Sequence, residues 1–180
     1  DCAAAGADVF LMWPDVTEKV LEVKDDMDRR AAAVGRSLRY GWRSHVIVRE
    51  TEDAARDAAR RLLSKLDDET GAAIRTKSLD SSSAGVARQA ALREGADDEG
   101  YAERHLWTGV GRARSGAGAA IVGDPDQVLA KLNELTAAGI EAFILSGYPH
   151  AAECDLFARY VLPGIDHGRL EFEPHPVHVA

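Results

Sequence analysis

Cysteine is scarce, with two in 180 residues. Cys2 and Cys154 stand far apart with no CxxC spacing and no paired framework, which excludes a thiolate metal cage and a disulfide scaffold and suits a reducing cytoplasm. Long apolar runs are also missing: no stretch of about 18 apolar residues exists to cross a membrane, and the N-terminus lacks the basic and apolar regions of a signal peptide. Nor is there a basic surplus. Lys and Arg number 22 against 30 Asp and Glu, a net charge of −8, and the arginines are interleaved with acids, which argues against a nucleic-acid surface. The expectation is a cytoplasmic protein bound to neither membrane nor nucleic acid.

With 46% apolar and 29% charged residues, the chain can bury a core of its own, and one domain is the default. DCAAAGAD (Asp1 to Asp8) reads as the last turns of a helix running into the strand Val9 to Met12, so an N-terminal part is expected to lie outside these residues. Asp15 with Glu18 three residues on resembles a capping box, followed by Val16, Val20, Val23 and Met27 at helical spacing. Leu38 to Val48 reads as a second strand and Thr51 to about Leu66 as a helix. From Asp67 to Gly118 glycine and serine break every long period, with short helical pieces around Val86 to Leu92, the pattern of a lid or mobile insertion. Order returns with a strand at Ala119 to Val122. Asp124 and Pro125 then start a helix that presents Val128, Leu132 and Leu135 on one face and stops at Gly139. A last strand, Ala142 to Leu145, leads into SGYPH (Ser146 to His150) and a helix to about Val161. The tail from 167 to 180, with its histidines, reads as a disordered extension rather than a metal site. Four βα units in series imply a parallel sheet, and a doubly wound sheet and half of a (β/α)8 barrel fit equally well.

Arg43 and His45 lie two apart in the second strand, so their side chains share a face. A cation beside an imidazole suits an anionic ligand; a carboxylate partner for Arg43 and a core role for His45 would account for them as well. Trp13, Tyr148 and His150 sit at strand ends, where α/β barrels place their sites. GVGRARSGAG (Gly109 to Gly118) is glycine-rich and carries Arg112 and Arg114. It reads equally as a lid delivering a cation over a bound anion and as a solvated linker. It lacks the Lys and Ser/Thr ending of a phosphate loop.

WRSHVIVRET (Trp42 to Thr51), LWTGVGRARSGAGAAIVGDP (Leu106 to Pro125) and GIEAFILSGYPH (Gly139 to His150) together resemble the C-terminal half of the reduced-FMN-dependent alkanesulfonate monooxygenases of the bacterial luciferase-like group. The resemblance runs from about residue 3 to residue 166. It implies a TIM (β/α)8 barrel, of which residues 1–166 are the last four βα units with 67–118 as the insertion. It also implies that a separate NAD(P)H-dependent reductase supplies reduced FMN as a co-substrate, that dioxygen adds to the flavin, and that an alkanesulfonate becomes aldehyde and sulfite. The family's catalytic positions fall on Arg43, His45, Tyr148 and His150, and its substrate and flavin contacts on Trp13 and Arg114; no metal is implied. Arg43 would hold the sulfonate or the anionic flavin peroxide, Tyr148 would donate to the developing oxyanion, and Arg114 would descend with the lid. Neither Cys2 nor Cys154 lies where the family has an active-site cysteine. A half-barrel exposes apolar strand edges, so homo-oligomers or pairing with another half are expected. A luciferase-like enzyme for another organosulfur compound such as a sulfone, and a non-catalytic half-barrel that binds a partner, are the rival readings.

Overall fold

The computed structural model describes residues 1–77 and 83–168. Its centre is β2 (Arg39–Val48), whose run of ten residues is matched by partners of only four or five. Parallel β1 (Val9–Met12) pairs with the first part of β2 and parallel β5 (Ala120–Gly123) with the last part. Arg39 N–H donates to the Asp8 carbonyl and His45 N–H to the Ala119 carbonyl, so both use the edge addressed by odd-numbered residues. On the opposite edge the Tyr40 carbonyl accepts Glu141 N–H, and parallel β6 (Ala142–Ser146) pairs there with Gly41 to His45. Consecutive barrel strands would pair in chain order, with β6 beside β5. Here β6 pairs with β2, whose second edge would otherwise be a long row of unpaired backbone groups.

The two faces of β2 differ. Even-numbered Tyr40, Trp42, Val46 and Val48 enter the main core. This core also takes side chains of α1 (Cys2–Gly6), α2 (Thr17–Ala32), α7 (Pro125–Ala137) and α8 (His150–Tyr160). On the odd-numbered face a smaller cluster covers only the C-terminal end, where Ile47, Ala120 and Val122 meet Ala55 and Ala59 of α3 (Glu52–Leu62). Lower on that face Leu11 and Ile144 stay 44% and 49% exposed around Arg43.

Residues 67–118, irregular by pattern, contain α4 (Asp68–Thr76), α5 (Ala84–Glu94), the antiparallel β3 (Tyr101–Glu103) and β4 (Leu106–Trp107), and α6 (Val110–Ala113). The hairpin extends the sheet by pairing Leu106 with Ile121 and Trp107 with Ala120. The helical piece expected around Val86 to Leu92 is α5, whereas the two strands of the hairpin exist because of long-range partners and leave no periodic trace. Lys131 on α7 is buried. Its ammonium donates to Glu103 at 2.6 Å and to Thr17 and Glu134 at 3.1 Å each, tying α7 to the hairpin and to the start of α2.

One helix start departs from expectation. α2 has Val16 at its N-cap with no side-chain cap, because the Asp15 carboxylate accepts the adjacent Val16 N–H instead. α7 begins as expected: Asp124 accepts Gln127 N–H, and the Gln127 side chain returns to Asp124 N–H. Gly139 ends it with φ +93°, a conformation that favours glycine. Within the expected tail, residues 167 and 168 carry no regular structure, and His175 and His178 lie outside the described residues.

Candidate active site

β2 projects Arg43 and His45 from its odd-numbered face, and β6 brings Ser146 into register with His45. His45 is buried. Its Nε2 lies 3.2 Å from the Ala117 carbonyl and its Nδ1 2.9 Å from Ser146 Oγ. A carbonyl can only accept, so Nε2 carries the hydrogen, Nδ1 is bare, and the Ser146 hydroxyl donates to it. Burial, reinforced by the charges of Arg114, Arg43 and His150, lowers the His45 pKa to about 4, against the opposing pull of the Ala117 carbonyl. The imidazole is therefore neutral at pH 7.

Over His45 lies Tyr148, its ring centroid 5.2 Å from that of the imidazole, and His150 stands edge-on to Tyr148 at 4.8 Å. Arg114 Nη1 donates to the Tyr148 hydroxyl at 2.8 Å and Arg114 Nε to the Ser115 carbonyl at 2.9 Å. As the acceptor from Arg114, the phenol keeps its own O–H free to donate to a ligand. Arg43 makes no hydrogen bond or ion pair among the described residues, so its guanidinium is a free donor fork on the open part of the same face.

The turn that carries Tyr148 is clamped from behind. Arg49, just past β2, makes a two-pronged pair with buried Glu153 in the first turn of α8, at 2.6 and 3.0 Å. Gly147 is required there, since a Cβ on it would lie 2.4 Å from the Glu153 Cβ. Trp13 is set further along the sheet. It lines a cavity of about 210 Å³ with Met12, Val20 and the α5 residues Gly85, Arg88 and Gln89. Gly116, φ +86°, lies between the two groups, its Cβ position 3.7 Å from the Trp13 ring and 3.4 Å from Arg114 Nη2.

The structure thus gathers His45, Arg114, Tyr148 and His150, places Arg43 beside them on the sheet, and sets Trp13 at the margin. Two contributors escape a residue-by-residue sequence reading. Ser146 was legible as a hydroxyl at a strand end, but its partner is 101 residues away. Gln89 donates to the Pro14 carbonyl at 2.6 Å and accepts Gly118 N–H at 2.9 Å, fastening α5 to the glycine-rich segment; nothing in its local pattern marks it. No group of three or more His, Cys, Asp or Glu that could hold a metal is found among the described residues, and no helix among them is long and apolar enough to cross a membrane.

The sequence profile of the family described as luciferase-like monooxygenase matches residues 1–142. Two relatives are each named sulfoquinovose monooxygenase. The one from Novosphingobium aromaticivorans is 66% identical over 170 residues, covering 94% of this chain and 47% of its own length. The one from Agrobacterium fabrum is 53% identical over 163 residues, covering 91% and 42%. The chain therefore spans less than half the length of either. Among solved structures, DmoA from Hyphomicrobium sulfonivorans matches with a TM-score of 0.65 at 22% identity, over 91% of this chain and 38% of that one. The long-chain alkane monooxygenase LadA matches with 0.61 at 20%, over 90% and 37%. At these identities the likeness is one of fold.

Proposed function

The chain belongs to the luciferase-like monooxygenase family, and from that premise we propose that it forms part of a reduced-FMN-dependent oxygenase that releases sulfite from an organosulfonate. The observation that carries this reading is the pairing of two arginines, Arg43 and Arg114, with a neutral His45 and the Tyr148 hydroxyl on one sheet face of an acidic chain. The relatives' names support sulfoquinovose, a sugar bearing a sulfonate on carbon, over the simple alkanesulfonate that the motifs alone suggest.

The overall change breaks the C–S bond. The carbon becomes a carbonyl with one oxygen atom of dioxygen, the other oxygen leaves as water, and sulfur departs as hydrogen sulfite. Reduced FMN, when bound, supplies the two electrons and ends as oxidised FMN. The donor set fits an electron-rich flavin next to a sulfonate, since the Arg43 guanidinium and the Tyr148 hydroxyl can both donate to an anion.

Arg43 holds the sulfonate, because its fork is free and planar and matches two oxygens at once. Tyr148 donates its O–H to oxyanion charge, held in place by Arg114. His45 is the fixed neutral partner under Tyr148, and His150, exposed at the start of α8, holds the other side of the phenol ring edge-on. Arg114 rides on a segment with Gly111, Gly116 and Gly118, and its closing over the face excludes water from the reacting groups. Trp13 walls the margin. The exposed Leu11 and Ile144 leave this part of the face open to cover by the remaining length of the full protein. A separate NAD(P)H-dependent reductase delivers the reduced flavin.

The test is sulfite release by the whole protein that carries these residues, with chemically reduced FMN and dioxygen. A kcat/KM for sulfoquinovose at least tenfold above that for hexanesulfonate supports the reading, at about 1.4 kcal/mol per decade. Release from neither sulfonate refutes it.

A further inference from the structure

A second cavity, about 210 Å³, opens between α4, α5 and α6, and three arginines line it: Arg75, Arg93 and Arg112. Two carboxylates share the space, and both are engaged. Asp68 pairs with Arg112 at 2.8 Å, and Asp67 caps α4 by accepting the N–H and hydroxyl of Thr70 at 2.7 and 2.9 Å. Arg75 and Arg93 have no ion-pair partner among the described residues. Their protein contacts are backbone carbonyls, Arg112 for Arg75 and Gly111, at 3.3 Å, for Arg93. Each fork keeps further N–H groups without a partner among the described residues. Burial, and then the nearby Arg75 charge, hold the Arg93 pKa below the ordinary guanidinium value, so the two cations repel each other in a partly desolvated space. The approach that creates this arrangement needs a glycine. A Cβ at Gly71 would stand 2.6 Å from the Arg112 carbonyl oxygen, so any side chain there would push α4, and Arg75 with it, off α6.

We propose that this cavity is a second anion site, distinct from the Arg43 face, that takes a compact oxyanion of sulfur or phosphorus between Arg75 and Arg93. Such an anion replaces repulsion with charge-assisted hydrogen bonds. Its position gives it a consequence. Gly111 and Arg112, whose carbonyls these arginines hold, lead directly into Arg114, which contacts Tyr148. Occupancy ties α4 and α5 to the segment that presents Arg114, and by linkage whatever orders Arg114 tightens the anion. The inference stands on this cavity and does not rest on the proposed desulfonation.

Calorimetric titration of the 180-residue chain with sulfite, methanesulfonate and inorganic phosphate tests it. Ionic strength is held constant with sodium chloride, because surface attraction is screened within about 10 Å at 0.1 M salt. Saturable one-to-one binding of at least one probe is expected, weakened about tenfold or more in Arg93→Gln and less in Arg93→Lys. Tighter sulfite or methanesulfonate identifies a sulfur oxyanion as the natural occupant, and tighter phosphate identifies a phosphate group. Far-UV circular dichroism checks that each variant is folded; should Arg93→Gln fail to fold, Arg75→Gln takes its place. No saturable binding to the wild type overturns the proposal. So does binding that survives Arg93→Gln and disappears in Arg43→Gln, which would place the anion at the strand-end site.

Discussion

Ser146 Oγ lies 2.9 Å from Nδ1 of His45, joining β6 to β2 at the residue where those strands are in register. With the Ala117 carbonyl on Nε2, this contact leaves one tautomer for the buried ring. Ser146→Ala deprives Nδ1 of its donor and is expected to cost about 1–3 kcal/mol in urea denaturation, with Ser146→Thr recovering most of it. Nitrogen-15 spectra of His45 should show the Nε2–H tautomer, held by the Ala117 carbonyl, in both proteins, with the Nδ1 resonance shifted in the alanine variant by loss of its hydrogen bond. An unchanged spectrum would remove Ser146 from this role.

The depressed His45 pKa sets a pH window. In the unfolded chain the ring titrates near 6.5, and in the folded chain near 4, so between those values the unfolded state binds the extra proton. The stabilisation is complete above about pH 6.5 and is lost as pH falls towards 4. Over the window it amounts to on the order of 3 kcal/mol. Measured stability of wild type and His45→Asn should therefore converge as pH is lowered from 7 to 4; parallel curves would contradict the assigned protonation state.

Lys131 is a buried cation whose nearest partner is Glu103, at 2.6 Å. Glu103→Ala leaves that charge with only Glu134 and Thr17 and should destabilise the chain by about 3 kcal/mol. Replacing both, as Lys131→Met with Glu103→Leu, should restore most of the loss, because the cost lies in an unpaired buried charge. Equal losses in the single and double variants would argue for packing alone.

Behind the Tyr148 turn, Glu153→Ala strands Arg49 and is expected to cost about 3 kcal/mol. Gly147→Ala, whose new methyl would lie 2.4 Å from the Glu153 Cβ, is expected to cost about 1–3 kcal/mol and to move Tyr148 away from His45. The tyrosine shift is read from ring-current shifts of the His45 protons; shifts unchanged from wild type would mean that the turn absorbs the methyl without displacing the ring.

What the sequence made legible follows the range of the forces involved. α7 could be read from Asp124, Pro125 and Gly139 because caps act over one turn. The shared face of Arg43 and His45 followed from strand alternation. Asp15 was misread as a cap because its carboxylate takes the adjacent Val16 N–H rather than one further into the helix, a choice that local pattern does not reveal. The insertion's hairpin, the pairing of β6 with β2, the contact of Ser146 with His45 and the burial of Lys131 all depend on partners many residues away, beyond any periodic signal. The three quoted motifs pointed to the family, while nothing in them distinguishes the carbon skeleton of the proposed sulfonate substrate.

The central claim is that the Arg43 face receives the sulfonate. Its most direct test is the sulfite release rate from sulfoquinovose with reduced FMN and dioxygen, comparing the whole protein with its Arg43→Ala variant. Loss of a fixed donor to the reacting anion predicts a fall in kcat/KM of about 10²–10³-fold with the fold intact. A rate within about twofold of wild type would contradict the assignment of Arg43 and move the substrate away from this face.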